Sequence, residues 1–146
     1  MIRCFCFSNN QDSICNYNAK NIEKVCKLVF EKELHSSAEI NIILTNDKYL
    51  KSLKKKFFNL NEYTDVIAFN LEDKADCIDG EIYISTDRVI ENARTYNKSI
   101  QDEFKRIIIH GLLHLLGYDD KTEIEKEKMS NLEDYYITET KKISII

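Results

Sequence analysis

Histidine is scarce in this 146-residue chain, and two of its three copies lie four residues apart in the apolar run IIIHGLLHLLG. On an α-helix, His110 and His114 would sit about 40° apart in rotation and one turn apart along the axis. Both imidazoles could then reach one ion. Gly117 follows, then the pair Asp119 and Asp120. A glycine at that point can adopt positive φ and end the helix in a sharp turn, swinging the next residues back toward the histidines. The Asp120 carboxylate would then complete a set of three ligands. Three protein ligands leave coordination positions open, as in catalytic rather than closed structural sites. A bare HxxxH pair on an apolar helix is more often a hydrogen-bonded core feature, and paired aspartates are ordinary turn residues. The coincidence of all three features favours the metal.

The spacing HxxxHxxGxx(H/D) also occurs in the metallopeptidases called metzincins, which carry a glutamate immediately after the first histidine as general base. Here that position is Gly111, so the peptidase alternative lacks the residue that would do its chemistry. Met129 could be offered as a Met-turn residue, but it reads more simply as an inward residue of a last helix. Asp119 is a candidate general base, or equally a support for a ligand. His35 has no neighbour at ligand spacing and is not expected to join the site.

The elements that must hold these residues follow from hydrophobic period. Residues 2–8 alternate weakly and read as a strand. A helix from Asn18 carries Ile22, Val25, Cys26, Val29 and Phe30 at helical spacing. AEINIILT, 38–45, is a strand rich in β-branched residues. Asn46 can cap a helix with Tyr49, Leu50, Leu53 and Phe57 on its inner face. TDVIAF, 64–69, and GEIYIS, 80–85, read as strands, with the acidic segment 70–79 as a loop between them. Ser85 or Thr86 opens a helix carrying Val89, Ile90, Ala93 and Tyr96. Ser99 with Asp102 and Thr122 with Glu125 resemble capping boxes for the histidine helix and for a final helix with Met129, Leu132 and Tyr136 inward. The order β-α-β-α-β-β-α-α-α predicts an α+β fold. A small mixed four-stranded sheet would carry about five helices, with the metal site at the end of a buried helix.

The length suits one domain, residues 1–146, with a proper core. Apolar residues make up 43% and charged residues 32%, ordinary for a globular protein. The net charge of −4 gives no global support for nucleic-acid binding, so any such activity needs a local basic patch. Cysteines stand at positions 4, 6, 15, 26 and 77, an odd number without a CxxC pair. Free thiols in a reducing cytoplasm are expected, with neither a disulfide framework nor a thiolate zinc site. No membrane span or signal peptide is expected.

The run HGLLHLLGYDD resembles the HGxLHLxGYDH signature of the YbeY family, bacterial rRNA-maturation endoribonucleases. TDVIAF is similar to that family's TDVLSF strand, GEIYIS to its GDI-type strand, and Asn92-Ala93 to an NA pair in the following helix. Glu103 precedes the metal helix as in the family, and the likeness runs over roughly residues 40–135. The resemblance implies a metal-dependent, single-strand-specific endoribonuclease of 16S rRNA 3′-end maturation and ribosome quality control, partnered by the small ribosomal subunit. It implies His110 and His114 as zinc ligands, with Asp120 in the place of a third histidine. A carboxylate there suits zinc and lets Mn²⁺ or Mg²⁺ compete better. The family pattern LNxxYRxxxxPTDV stands against LKKKFFNLNEYTDV here, putting Phe58 where an arginine would be. Lys54, Lys55 and Lys56 are candidates to supply the missing charge, with Arg88, Arg94, Lys105 and Arg106 as further RNA-backbone candidates. A non-catalytic ribosome-binding module with a structural ion is the remaining alternative.

Overall fold

The computed structural model describes residues 1–9, 14, 16–74 and 77–146, with residues 72–74 as backbone only. Cys15 and residues 75–76 of the acidic segment lie outside the described residues. Among the described residues nine elements follow one another as β1 (Ile2–Ser8), α1 (Ala19–Lys32), β2 (Ala38–Thr45), α2 (Asp47–Phe58), β3 (Val66–Lys74), β4 (Cys77–Ser85), α3 (Thr86–Thr95), α4 (Ile100–Leu115) and α5 (Glu123–Glu139). The four strands form one sheet in the order β1-β2-β4-β3. β1, β2 and β4 run parallel, and β3 lies antiparallel on β4 as an outer strand. This is the α+β architecture with a mixed four-stranded sheet and five helices that the sequence predicts.

One sheet face carries the core. Cys4, Ile40, Ile42, Leu44, Ile82 and Ile84 are buried on it, against Ile22, Val25, Cys26, Val29 and Phe30 of α1 and the apolar residues of α4. The contact between α4 and β4 is close because it is built on glycines. A Cβ on Gly111 would stand 2.8 Å from Ile82 Cγ2, and one on Gly80 2.8 Å from both terminal methyls of Leu115. Helix starts follow the expected caps. Asn18, Asn46, Ser85 and Ser99 each accept a backbone N–H from the first turn, and Thr122 with Glu125 forms the complete capping box.

Three expectations about elements are corrected. The acidic segment read as a loop is largely strand: β3 continues to Lys74 and β4 begins at Cys77, with a register shift between Asn70 and Glu72. The predicted inner face of α2 is only partly covered. Leu50 is buried and Leu53 half-buried, whereas Tyr49 and Phe57 are exposed. Tyr96 caps the C-terminus of α3 and is exposed rather than inward.

The described cysteines are free thiols. Cys4 and Cys6 point to the same face of β1, and Cys4 meets Cys26 of α1 in the core. Burial, then the neighbouring Cys4, holds the Cys26 thiol well above its ordinary pKa, so it stays protonated.

Candidate metal centre

His110 and His114 project from one side of α4, and the chain then turns back on itself. Leu116 is the C-cap, and Gly117 has φ +100°, the left-handed conformation glycine tolerates. The Gly117 N–H donates to the His114 carbonyl and the Tyr118 N–H to the Leu113 carbonyl, the paired bonds of a Schellman closure. The turn delivers Asp120 to the histidines. Its Oδ2 lies 3.4 Å from His110 Nε2 and 3.6 Å from His114 Nε2, and the two Nε2 atoms are 3.0 Å apart. Among the described residues these three form the group able to hold a metal ion.

The hydrogen bonds behind the rings fix what those atoms are. His110 Nδ1 is 2.8 Å from Glu133 Oε2, and His114 Nδ1 is 3.1 Å from the Tyr118 carbonyl oxygen. Carboxylate and carbonyl oxygens only accept, so each ring carries its proton on Nδ1. In the neutral rings both Nε2 atoms are then lone-pair donors, facing each other and a carboxylate. Three electron-pair donors this close repel unless a cation lies between them.

The spacing fits a metal ion. Zinc–nitrogen and zinc–oxygen bonds of about 2.0–2.1 Å in a tetrahedron imply ligand–ligand edges of about 3.3–3.4 Å. The observed edges, 3.0, 3.4 and 3.6 Å, bracket that value. The donor set of two imidazoles and one carboxylate suits zinc chemically. A proton is the other cation that satisfies the site. Burial acts to lower the His110 pKa. The hydrogen bond and charge of Glu133, with Asp65 and Asp120, outweigh it and leave the pKa above the ordinary histidine value.

Two supporting carboxylates, Glu133 and Glu33, went unread in the sequence. Glu133, buried on α5, accepts from His110 through Oε2 and from Arg106 through Oε1 at 3.2 Å. Arg106 is also bonded to buried Glu103. Glu33, just after α1, accepts from the hydroxyls of Tyr118, at 2.6 Å, and Tyr136. It thereby ties the ligand turn to α5. The signal for Glu133 was a charge on the otherwise apolar stripe between Met129 and Tyr136. Asp65 in the TDV stretch also lines the site, and its carboxylate accepts from Asn92.

A cleft of about 480 Å³ opens on the three ligands. Lys54, Phe58, Leu60, Thr64, Asp65 and residues 66–68 of the outer strand line it together with His110, His114 and Asp120. Of the basic candidates, Lys54 reaches this cleft while paired with Glu62 at 2.8 Å, and Lys55 and Lys56 are exposed on the same helix. Arg88 is held by Asp47, and exposed Arg94 pairs with Glu91. Arg106 is committed to the two buried glutamates. Lys105 must be removed from the RNA-contacting set. It is 1% exposed, and its ammonium donates to the Thr140 carbonyl at 2.6 Å. Asp119 stands outside the three-ligand group, with Oδ1 accepting from the Asp120 N–H. His35 is elsewhere, and Met129 is a core residue.

The sequence profile described as Endoribonuclease YbeY matches residues 6–141. A protein named Endoribonuclease YbeY from Karelsulcia muelleri is 45% identical over 127 residues, covering 86% of this chain and 89% of the relative. Those of Cytophaga hutchinsonii and Christiangramia forsetii are 42% and 36% identical, covering 73% and 86% of this chain and 74% and 82% of theirs. A solution structure of a Thermotoga maritima protein matches with a TM-score of 0.62 at 29% identity, covering 96% of this chain and 89% of that one. With a family profile over nearly its whole length and these relatives, the chain belongs to the endoribonuclease YbeY family.

Proposed function

We propose that the chain is a metal-dependent endoribonuclease for single-stranded RNA, folded as one domain over residues 1–146. It would act in the cytoplasm on 16S rRNA 3′ ends and in ribosome quality control, in company with the small ribosomal subunit. Family membership supports the RNA-cutting activity. The observation that carries the chemistry is the triangle of lone-pair donors His110 Nε2, His114 Nε2 and Asp120 Oδ2 at the floor of an open cleft.

We assign these three residues as ligands of one zinc ion, with Mn²⁺ or Mg²⁺ as competitors that a carboxylate ligand accommodates. A divalent ion held there supplies polarisation of a phosphoryl oxygen and activation of an attacking water. The chain supplies the rest. Glu133 and the Tyr118 carbonyl hold the rings with Nε2 forward, and Asp119 steadies the Asp120 backbone. Lys54 brings positive charge to the cleft, and Lys55 and Lys56 extend it along α2 for the RNA backbone. Asp119 is thereby assigned as a support for the ligand turn, and no side chain is assigned as general base.

The peptidase alternative loses its footing on geometry. Position 111 faces Ile82 in the core, so no base can stand there. The test is turnover of a single-stranded RNA by the purified chain, with metal analysis of the same sample and a His114→Ala comparison. Loss of both metal and turnover in the variant is expected. A wild-type protein that holds stoichiometric zinc and cuts no RNA would support the non-catalytic ribosome-binding alternative instead.

A further inference from the structure

The cleft contains an aromatic residue that the metal chemistry does not use. Phe58 is the last residue of α2, fixed there because Asn59 caps the helix in the left-handed conformation, with φ 55° and its N–H on the Lys54 and Lys55 carbonyls. Phe58 is 50% exposed, yet it lines the same cleft as His110, His114 and Asp120. Behind it lies Phe69 of the outer strand, nearly parallel, with centroids 6.0 Å apart and an interplanar angle of 15°. Phe69 is itself braced edge-on by Phe57 at 5.2 Å and by Tyr83 at 5.9 Å. One face of Phe58 is therefore backed by an aromatic cluster, and half of the residue remains open to solvent.

We propose that Phe58, backed by Phe69, is a stacking platform for an unpaired base of an RNA strand whose backbone lies across the metal centre. The proposal rests on the nuclease reading above and names how that site would hold its substrate. An aromatic face accepts any base, because every base has a π-face, and it favours single strands because a paired base is already stacked. The surroundings suit a polyanion. Lys51, Lys54, Lys55 and Lys56 lie on the same helix, within two turns of Phe58. A phenyl ring cannot pair with phosphate, so this contact adds affinity through bases rather than through charge. It makes binding depend on the presence of bases more than on salt.

The experiment compares two fluorescent decamers with the same number of phosphates, an oligouridine RNA and one whose nucleotides lack bases. Anisotropy titrations of the zinc-loaded full chain, on ice and with the RNA verified intact on a gel, give the affinity ratio between them. Wild type should prefer the base-bearing decamer. Phe58→Ala should shrink that preference by roughly 5- to 150-fold, the range of one base–aromatic stack, with affinity for the abasic decamer unchanged. Phe58→Leu, which keeps apolar bulk without a ring, should match alanine, and Phe58→Trp should keep the preference. A preference that survives in Phe58→Ala, or an equal loss on both decamers, overturns the platform while leaving the nuclease reading standing. A wild-type chain that binds neither decamer overturns both.

Discussion

Glu133 is 23 residues from His110 in sequence, yet its carboxylate decides which nitrogen His110 presents to a metal. One oxygen accepts from His110 Nδ1 at 2.8 Å and the other from Arg106 at 3.2 Å. Glu133→Gln preserves the shape and breaks this arrangement chemically. The amide has one acceptor and one donor end, so one of the two partners must face an NH₂ group. If that partner is His110, the ring gains by moving its proton to Nε2, which closes the metal-facing lone pair. Loss of a carboxylate behind a ligand histidine typically costs 10- to 100-fold in metal affinity, about 1.4–2.7 kcal/mol. Glu133→Ala adds a stability cost, since two donors lose their acceptor. Breaking a fully buried pair costs about 3–5 kcal/mol. Arg106 is a third exposed and keeps Glu103, so roughly 2 kcal/mol is expected. Zinc competition against a chromophoric chelator reads the first effect, and urea unfolding of the metal-free proteins reads the second. A Glu133→Ala protein, which offers His110 no acceptor, with wild-type zinc affinity would refute the tautomer argument, because among the described residues Glu133 is the acceptor that holds the His110 Nδ1 proton.

Asp120→Ala should lose more zinc affinity than Glu133→Gln, beyond about 100-fold, because it removes a ligand rather than a support. Asp120→His should retain zinc, and an alanine variant with wild-type metal content would return Asp120 to the role of a turn residue. Zinc affinity should fall as pH drops below the raised pKa of His110, by about tenfold per unit for the single proton displaced; Glu133→Gln should move that fall to lower pH. The same shift gives the metal-free protein a stability contribution fully present below the unfolded histidine pKa of about 6.5 and lost as pH rises through the folded value, which denaturant midpoints across that range will register. Gly111→Ala should lower the urea midpoint. Its methyl meets fully buried Ile82 at 2.8 Å, and overpacking of about 1–3 kcal/mol outweighs the roughly 1 kcal/mol gained in helix propensity.

What the sequence made legible is local. Caps, the glycine turn and the i, i+4 histidines each act within a few residues, so their chemistry is written next to itself. The apolar stripe of α1 was read completely because the whole stripe is covered. On α2 the same periodicity misled, because a hydrophobic period marks a face without saying how much of it a neighbour covers, and here Leu50 alone is fully buried. The β3–β4 hairpin was hidden by its composition. Glu72 and Asp73 stand on the outer strand β3 and Asp79 on β4, where pairing between the two strands rather than intrinsic preference sets the conformation. Lys105 and Arg106 looked alike as neighbouring cations, yet they point to different partners, Thr140 in one case and Glu103 with Glu133 in the other. Thr140 and Glu133 lie on or beyond α5, so only the packing of α5 on α4 reveals them, whereas Glu103 stands one turn back on α4 itself.

The overall charge of −4 gives no global support for RNA binding, so the distribution of charge around the cleft is what bears on it. The negative groups at the site have assigned work. Asp120 faces the histidine nitrogens, Asp65 lines the cleft beside them, and Glu103 and Glu133 are buried behind with only Arg106 shared between them. Around the triangle this leaves more carboxylate than cation, an imbalance that a divalent ion would correct. Of the α2 lysines, Lys54 lines the cleft with Phe58 and pairs with exposed Glu62, and Lys55 and Lys56 are exposed on the same helix. Screening at physiological salt confines each field to about 8 Å, so an RNA phosphate responds to the charge nearest it rather than to the total. An acidic floor that recruits a cation and a lysine-bearing helix that receives a polyanion can therefore share one small, globally acidic protein.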